Sequence, residues 1–435
     1  EQDLRIDLVS AATDIRIKSA GSLINAAAVP GAANVVGENV ILEAANGGIG
    51  ALPDGEGNVS APLRVEAAGD VIARASSDIW IATANDLRLD TVYSPMELKA
   101  EAQGSILDAH PAESSVTPEI NVRARNVELT AMTGSIGAPT NALDVGVNRD
   151  GFVTAAATTA GQGVYLNGPA GAYFNVGSAV SGDAISLSSA TDMKIDGPVT
   201  GPGAISLSAG GTMLLTPKAD VHATTLGVFL RAGGLVMQDA QRMIENGETL
   251  DPKYAAGDAA RMLVDAGTID IETKGDALIT GIETGNPTAS AIRVVSTGGR
   301  ILDNGDTRLD IIADTPPAAK LTISAAQGIG DNPLDVRLLN LEATSGGVVD
   351  LAVQNSVHID AITADGRIWL TAGGDITGNG VTSTRAAAGS DPAQPSTGVS
   401  IASAAGSIDL ASISGPGDVS VMAPNSVAVD TISVG

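Results

Sequence analysis

One pattern returns along this chain: apolar, any, apolar, any, small, a short loop rich in Gly, Asn or Asp, then apolar again. It reads Ile185-Ser186-Leu187-Ser188-Ser189-Ala190-Thr191-Asp192-Met193, and twenty residues later Ile205-Ser206-Leu207-Ser208-Ala209-Gly210-Gly211-Thr212-Met213. Further copies start at Leu63, Ile79, Val349, Ile368 and Val419. A second alternating stretch often follows, as in Leu87-Arg88-Leu89-Asp90-Thr91-Val92, Met193-Lys194-Ile195-Asp196, Val357-His358-Ile359-Asp360 and Val427-Ala428-Val429-Asp430. Period-two alternation sends the apolar residues to one face and Asp, Lys, Ser or Thr to the other. Two short strands, a bend and a Gly/Pro turn then make one coil, and one coil cannot bury its apolar side alone.

Consecutive copies match position by position: Ile185 with Ile205, Leu187 with Leu207, Met193 with Met213. Stacking like on like is what parallel coils require, because each residue sits one strand spacing above its equivalent. The expected fold is therefore all-β, a right-handed parallel β-helix (β-solenoid) of about twenty-residue coils, running as one continuous segment over 1–435. A string of β-sandwiches is the alternative. It calls for hairpin turns at each strand pair, and pairs such as Asn46-Gly47, Asp150-Gly151, Asn304-Gly305 and Asp365-Gly366 are scattered instead. Composition agrees with the solenoid. Hydrophobic residues are 44% of the chain while aromatics are 2%, so the interior must be filled by Val, Ile, Leu and Ala, which suits narrow coils of β-branched residues.

A glycine signature sits on the repeat: Gly48-Ile49-Gly50-Ala51-Leu52-Pro53, Gly134-Ser135-Ile136-Gly137-Ala138-Pro139 and Gly328-Ile329-Gly330-Asp331-Asn332-Pro333-Leu334-Asp335-Val336, with a shortened form at Gly299-Arg300-Ile301-Leu302-Asp303. It reads as a corner, Gly permitting positive φ and Pro setting the turn. A phosphate cradle would need a Lys and a following helix, and neither is there. Uneven spacing of the copies implies insertions. Residues 237–263, rich in Ala, Met, Arg, Glu and Gln, are expected to form one or two short helices. Stretches 147–177 and 386–397 are expected to be loop insertions, and His110 to Glu119 a smaller excursion.

The net charge of −26 argues against nucleic acid as a partner, since that binding rests on Lys and Arg neutralising phosphate. With no Cys, disulfide and thiolate-metal frameworks are excluded. His110, His222 and His358 are far apart and lack metal-ligand spacing; His358 falls on the polar face of its strand. Gly373-Gly374-Asp375 and Gly182-Asp183 are fragments of a calcium-binding nonapeptide, and Asp303-Asn304-Gly305-Asp306 has oxygens for one calcium, although an ordinary turn explains it. No catalytic or cofactor-binding residues are assigned, and no cofactor is expected beyond that calcium option. A polysaccharide-degrading β-helix enzyme would need clustered carboxylates, whereas Asp90, Asp196, Asp360 and Asp430 are spread along the chain.

The coils and the Gly-Ile-Gly-Asp-Asn-Pro-Leu-Asp-Val string at 328–336 resemble the repeat regions of filamentous-haemagglutinin-like adhesins, the two-partner-secretion exoproteins of Gram-negative bacteria. That resemblance implies a right-handed β-helix shaft, secretion to the cell surface, and a non-catalytic role in adhesion or surface architecture. Roughly twenty coils at about 4.8 Å each would give a rod on the order of 100 Å. An alternative places host, surface or carbohydrate binding in the inserted loops. The chain opens Glu1-Gln2-Asp3-Leu4 without a leader pattern and starts and stops mid-repeat. The expected partners are adjoining segments of a longer chain or identical chains stacked end to end.

Overall fold

The structure, a computed structural model, describes residues 2–51, 61–110, 119–306, 308–384 and 397–434. It is almost entirely parallel β, with a single helix among the described residues. Each coil of such a stack touches only its neighbours, and the contacts group into two compact units, residues 1–210 and 211–435. Among the described residues no helix is long and apolar enough to cross a membrane.

In the first unit the strands Val164–Gly168, Ile185–Ser189 and Ile205 onward lie parallel and in register, with Ile185 opposite Ile205 and Leu187 opposite Leu207 as the repeat predicts. The coil has one strand more than the sequence pattern shows. After Ile185–Ser189 and Met193–Ile195 comes Pro198–Gly201, and the last two both pair with Asn175–Ser181. Pro198 and Gly201 read as turn residues and mask a strand only four residues long. In the second unit two columns run Val228–Ile269–Ile292–Leu321–Leu341 and Val349–Ile368–Val399–Val419. Nearly all of these side chains are fully buried, so the apolar half of each strand forms a continuous dry interior. Burial at about 25 cal/mol per Å² is what holds coils together that lack any larger hydrophobic layer.

The small position of the repeat caps the corner. Ser189 Oγ donates to the Asp192 carbonyl at 2.9 Å and accepts the Thr191 N–H, and Ser345 Oγ does the same with the Val348 carbonyl at 2.9 Å and the Gly347 N–H. These hydroxyls satisfy backbone groups where the ladder breaks. The loop Asp acts one coil further on. Asp86 Oδ1 accepts the Ser105 N–H at 2.7 Å, Asp276 Oδ1 the Arg300 N–H at 2.8 Å, and Asp375 Oδ1 the Ser407 N–H at 2.7 Å. Part of the acidity is thus structural.

The glycine signature is a corner. Gly50, Gly137 and Gly330 have φ of 70°, 66° and 69°, which L side chains rarely adopt, and Ile49, Ile136 and Ile329 beside them are buried. A Cβ at Gly137 would also lie 2.2 Å from the Tyr165 carbonyl oxygen. The shortened form stacks directly against the full one, Ile301 opposite Ile329. Leu52 and Pro53 of the first copy lie outside the described residues.

Two insertions need correcting. Residues 147–177 are not a loop: Val153–Ala157 and Val164–Gly168 are coil strands, pairing Val127 with Val153 and Val164 with Ile185. In the first of these the inward positions after Val153 are Ala155 and Ala157, too small to register as an apolar pattern, whereas Val164-Tyr165-Leu166-Asn167-Gly168 follows the template itself. Residues 237–263 hold one helix, Ala240–Glu245, where Asp239 caps the N-terminus by accepting the Arg242 N–H. Met237 ends a strand, and Arg261–Val264 is a strand rather than a second helix. Met237 and Met262 point into the core, and strand pairing overrides the helix propensity of these residues. The 386–397 insertion lies outside the described residues except for the backbone of Thr397, which opens a strand, and so does 111–118 of the smaller excursion.

Candidate functional site

The outward face of the first unit carries one column that differs from the rest of the surface. Strands Ile15–Ser19, Val40–Ala44, Asp70–Ala75, Leu87–Tyr93 and Val122–Ala124 stack so that Lys18, Glu43, Arg74, Tyr93 and Arg123 are successive register partners. The residue before each partner of the last four is buried (Leu42, Ala73, Val92 and Val122), so alternation fixes these side chains on the solvent side. Arg16 Nη2 lies 2.6 Å and Lys18 Nζ 3.3 Å from the Glu43 carboxylate. The hydrogen bonds from Arg16 and then Lys18 hold Glu43 below the usual carboxylate range. Arg74 and Arg123 are exposed and make no ion pair among the described residues. Lys18, Glu43, Arg74, Ser76, Tyr93 and Pro95 line a shallow open cavity of about 510 Å³. A second cavity, of about 540 Å³, has Glu97, Lys99, Glu128, Phe152 and Asp196 in its walls, but Lys99 is held there by Glu101 and Glu128.

A buried polar slot recurs at one corner of the coil. Val9–Val35, Val92–Val122 and Ile282–Ile311 are register pairs, and the residue before the second member is Asn34, Asn121 or Asp310, each fully buried. Asn121 accepts the Asp144 N–H on Oδ1 at 2.8 Å and the Val92 N–H on its carbonyl at 2.7 Å, and donates from Nδ2 to the Leu89 carbonyl at 3.0 Å. Asn34 repeats this with Arg64, Val9 and Ile6. Asp310 keeps the accepting half: Oδ2 takes the Asp335 N–H at 2.9 Å and its carbonyl takes the Ile282 N–H at 2.8 Å. Its Oδ1 stands where the amide donor would be and has no partner among the described residues. Burial, with Asp303 nearby and Asp306 and Asp335 adding to it, pushes the Asp310 carboxyl up to about 9, despite the bond from Asp335 N–H. At neutral pH it is therefore a carboxylic acid carrying its own proton donor.

The three histidines are not brought into one site. His110 Nε2 lies 3.1 Å from Asp90 Oδ1 and 3.2 Å from Glu119 Oε2, with Nδ1 3.0 Å from Asn121 Nδ2. His222 sits against Asp265 at 2.9 Å, and His358 is exposed beside Thr377. Of the spread carboxylates, Asp90 faces His110, Asp196 borders the second cavity, Asp360 takes Lys320 at 3.2 Å, and Asp430 is exposed on the last strand. The Asp303-Asn304-Gly305-Asp306 stretch is a turn with Gly305 at φ 84°, whose oxygens accept its own backbone: Gly305 N–H on Asp303 at 2.8 Å and Asp306 N–H on Asn304 at 3.0 Å. Among the described residues no group of three or more His, Cys, Asp or Glu is arranged to hold a metal ion.

Neither the cationic column nor the buried slot is marked by a sequence motif. The slot could have been found by aligning coils, as a polar residue before a β-branched pair in Asn34-Val35-Val36 and Asp310-Ile311-Ile312. The column could have been found from Tyr93, one of four tyrosines in the chain, placed at the end of a named strand. Comparison with protein-family models, with curated proteins and with solved structures gives no match.

Proposed function

We propose that this chain is a non-catalytic structural scaffold, the shaft of a secreted, cell-surface adhesin or extracellular filament of a Gram-negative bacterium. The observation that carries the reading is that chain length is converted into in-register apolar columns, while extra residues go to corners. A coil spans 18 residues from Leu63 to Ile81 and 41 from Val228 to Ile269, yet each pair remains in register. A fold organised this way adds length by adding coils and tolerates decoration between strands. The likeness of residues 328–336 to filamentous-haemagglutinin-like repeats supports the same reading. The last strand, Val427–Val434, leaves Val427, Ile432 and Val434 at 49%, 53% and 58% exposure. A further parallel strand, from adjoining coils or an identical chain, would cover such an edge.

The test is to raise antibodies against this segment and label intact source cells for electron microscopy. Decoration of extended surface structures, removed by brief protease treatment of whole cells, is expected. Labelling that appears only after permeabilisation would refute the surface-shaft reading.

A further inference from the structure

The column Lys18–Glu43–Arg74–Tyr93–Arg123 is a local exception in a chain of net charge −26. Glu43 is shared by Arg16 and Lys18, so these three groups leave one positive charge, and Arg74 and Arg123 add two that no carboxylate among the described residues neutralises. Tyr93 lies between those two arginines in register and is 44% exposed. Elsewhere an aromatic ring carries a cation: Lys99 over Trp80 at 5.1 Å, Lys194 over Phe152 at 5.2 Å, Lys253 over Tyr254 at 4.9 Å and Arg367 over Trp369 at 5.3 Å. No such contact covers Tyr93 among the described residues, although two arginines flank it. Its ring face and both guanidinium forks are left available beside the cavity lined by Arg74, Ser76 and Pro95.

We propose that this column binds an acidic polysaccharide, a chain of uronate sugars lying along the stacking direction. Coils are about 4.8 Å apart, which puts Arg74 and Arg123 about 9.6 Å apart with Tyr93 midway, a spacing close to that of two sugar units in an extended pyranose chain. Each guanidinium fork matches a carboxylate bidentately, and the tyrosine ring packs on the apolar face of the sugar between them. A nucleic acid fits less well. Binding of a single strand stacks successive bases on several aromatic rings, and this column offers one, Tyr93. The proposal stands independently of the shaft reading.

The experiment is affinity electrophoresis and calorimetric titration of the whole chain with polygalacturonate, neutral dextran and a single-stranded oligonucleotide. Polygalacturonate should bind and weaken with added salt, and dextran and the oligonucleotide should not bind. The double variant Arg74→Glu/Arg123→Glu should lose at least about tenfold in affinity, and Tyr93→Ala about tenfold. Arg300→Glu, at a cation already 2.7 Å from Asp331, should bind as the parent. All three sites are exposed, and unchanged circular dichroism and melting will show that the variants fold. Absence of polygalacturonate binding, parental affinity in the double variant, or tighter binding of the oligonucleotide would each overturn the proposal.

Discussion

The corner at Asn121 in the first unit and the corner at Asp310 in the second offer the same slot to two side chains that differ by an amide in place of an acid. At Asn121 the slot is satisfied from both sides, the amide accepting from one neighbouring coil and donating to the other. At Asp310 the donating half exists only while the carboxyl keeps its proton. The difference teaches that a coil corner can be made pH-independent or pH-dependent by one residue, without changing the apolar columns. Linkage gives the sign. With a folded value of about 9 against an unfolded carboxyl near 3.9, the contribution of Asp310 is complete below about pH 4 and is lost as pH rises towards 9.

Four measurements test this contrast. The single tryptophans Trp80 and Trp369 lie in different units, so replacing one by Phe leaves a fluorescence probe for the other. Asn121→Asp should have the largest effect, lowering first-unit stability by about 5 kcal/mol at pH 8 in urea unfolding, because an acid in this slot must keep its proton and Asp108 beside it opposes ionisation further. A first unit unchanged by it would break the equivalence of the slots. Asp310→Asn should raise second-unit stability by up to about 5 kcal/mol at pH 8 and converge with the parent near pH 4. A loss of stability at pH 8 would mean that the acid, ionised, is doing something the amide cannot.

A smaller effect is expected at Asp350, whose carboxyl is pushed up to about 6 by burial, against the nearby Arg367. Asp350→Asn should stabilise the second unit by up to about 3 kcal/mol above pH 6 and flatten its profile between pH 4 and 6. Smallest are the paired controls Ser189→Ala and Ser345→Ala, one in each unit. Both should cost about 1 kcal/mol, equally at pH 5 and pH 8. A pH dependence at Ser345 alone would show that titration in the second unit reaches beyond Asp310 and Asp350.

The fold was legible because the columns are built from residues that alternate visibly: Ile185 and Ile205, Leu187 and Leu207 are opposite each other in space as in the repeat. The glycine corner was legible for the same reason, since few sites tolerate only Gly. Within residues 147–177 the strand at Val153 was hidden because Ala155 stands where Leu129 stands one coil earlier, and the third strand of the coil because Pro198–Gly201 looks like a turn. The slot and the column were not legible in any local stretch. Arg74, Tyr93 and Arg123 become neighbours only through register across successive coils, and Asp310 is distinguished from dozens of surface acids only by what lies above and below it. Strand alternation says which way a side chain points but not which residue of the next coil it will meet.

The corners also separate two quantities that are usually tied together, contour length and pitch. Forty-one residues are consumed between Val228 and Ile269 and twenty between Ile185 and Ile205, while in each case the advance is one strand spacing. An insertion or deletion at a corner is therefore silent to the apolar columns, and an irregular sequence period is compatible with a regular interior. The turn region following the helix, residues 246–257, is exposed and outside every strand. It is the natural cassette for splicing in a foreign peptide, which would be displayed at the surface while the ladder beneath kept its register.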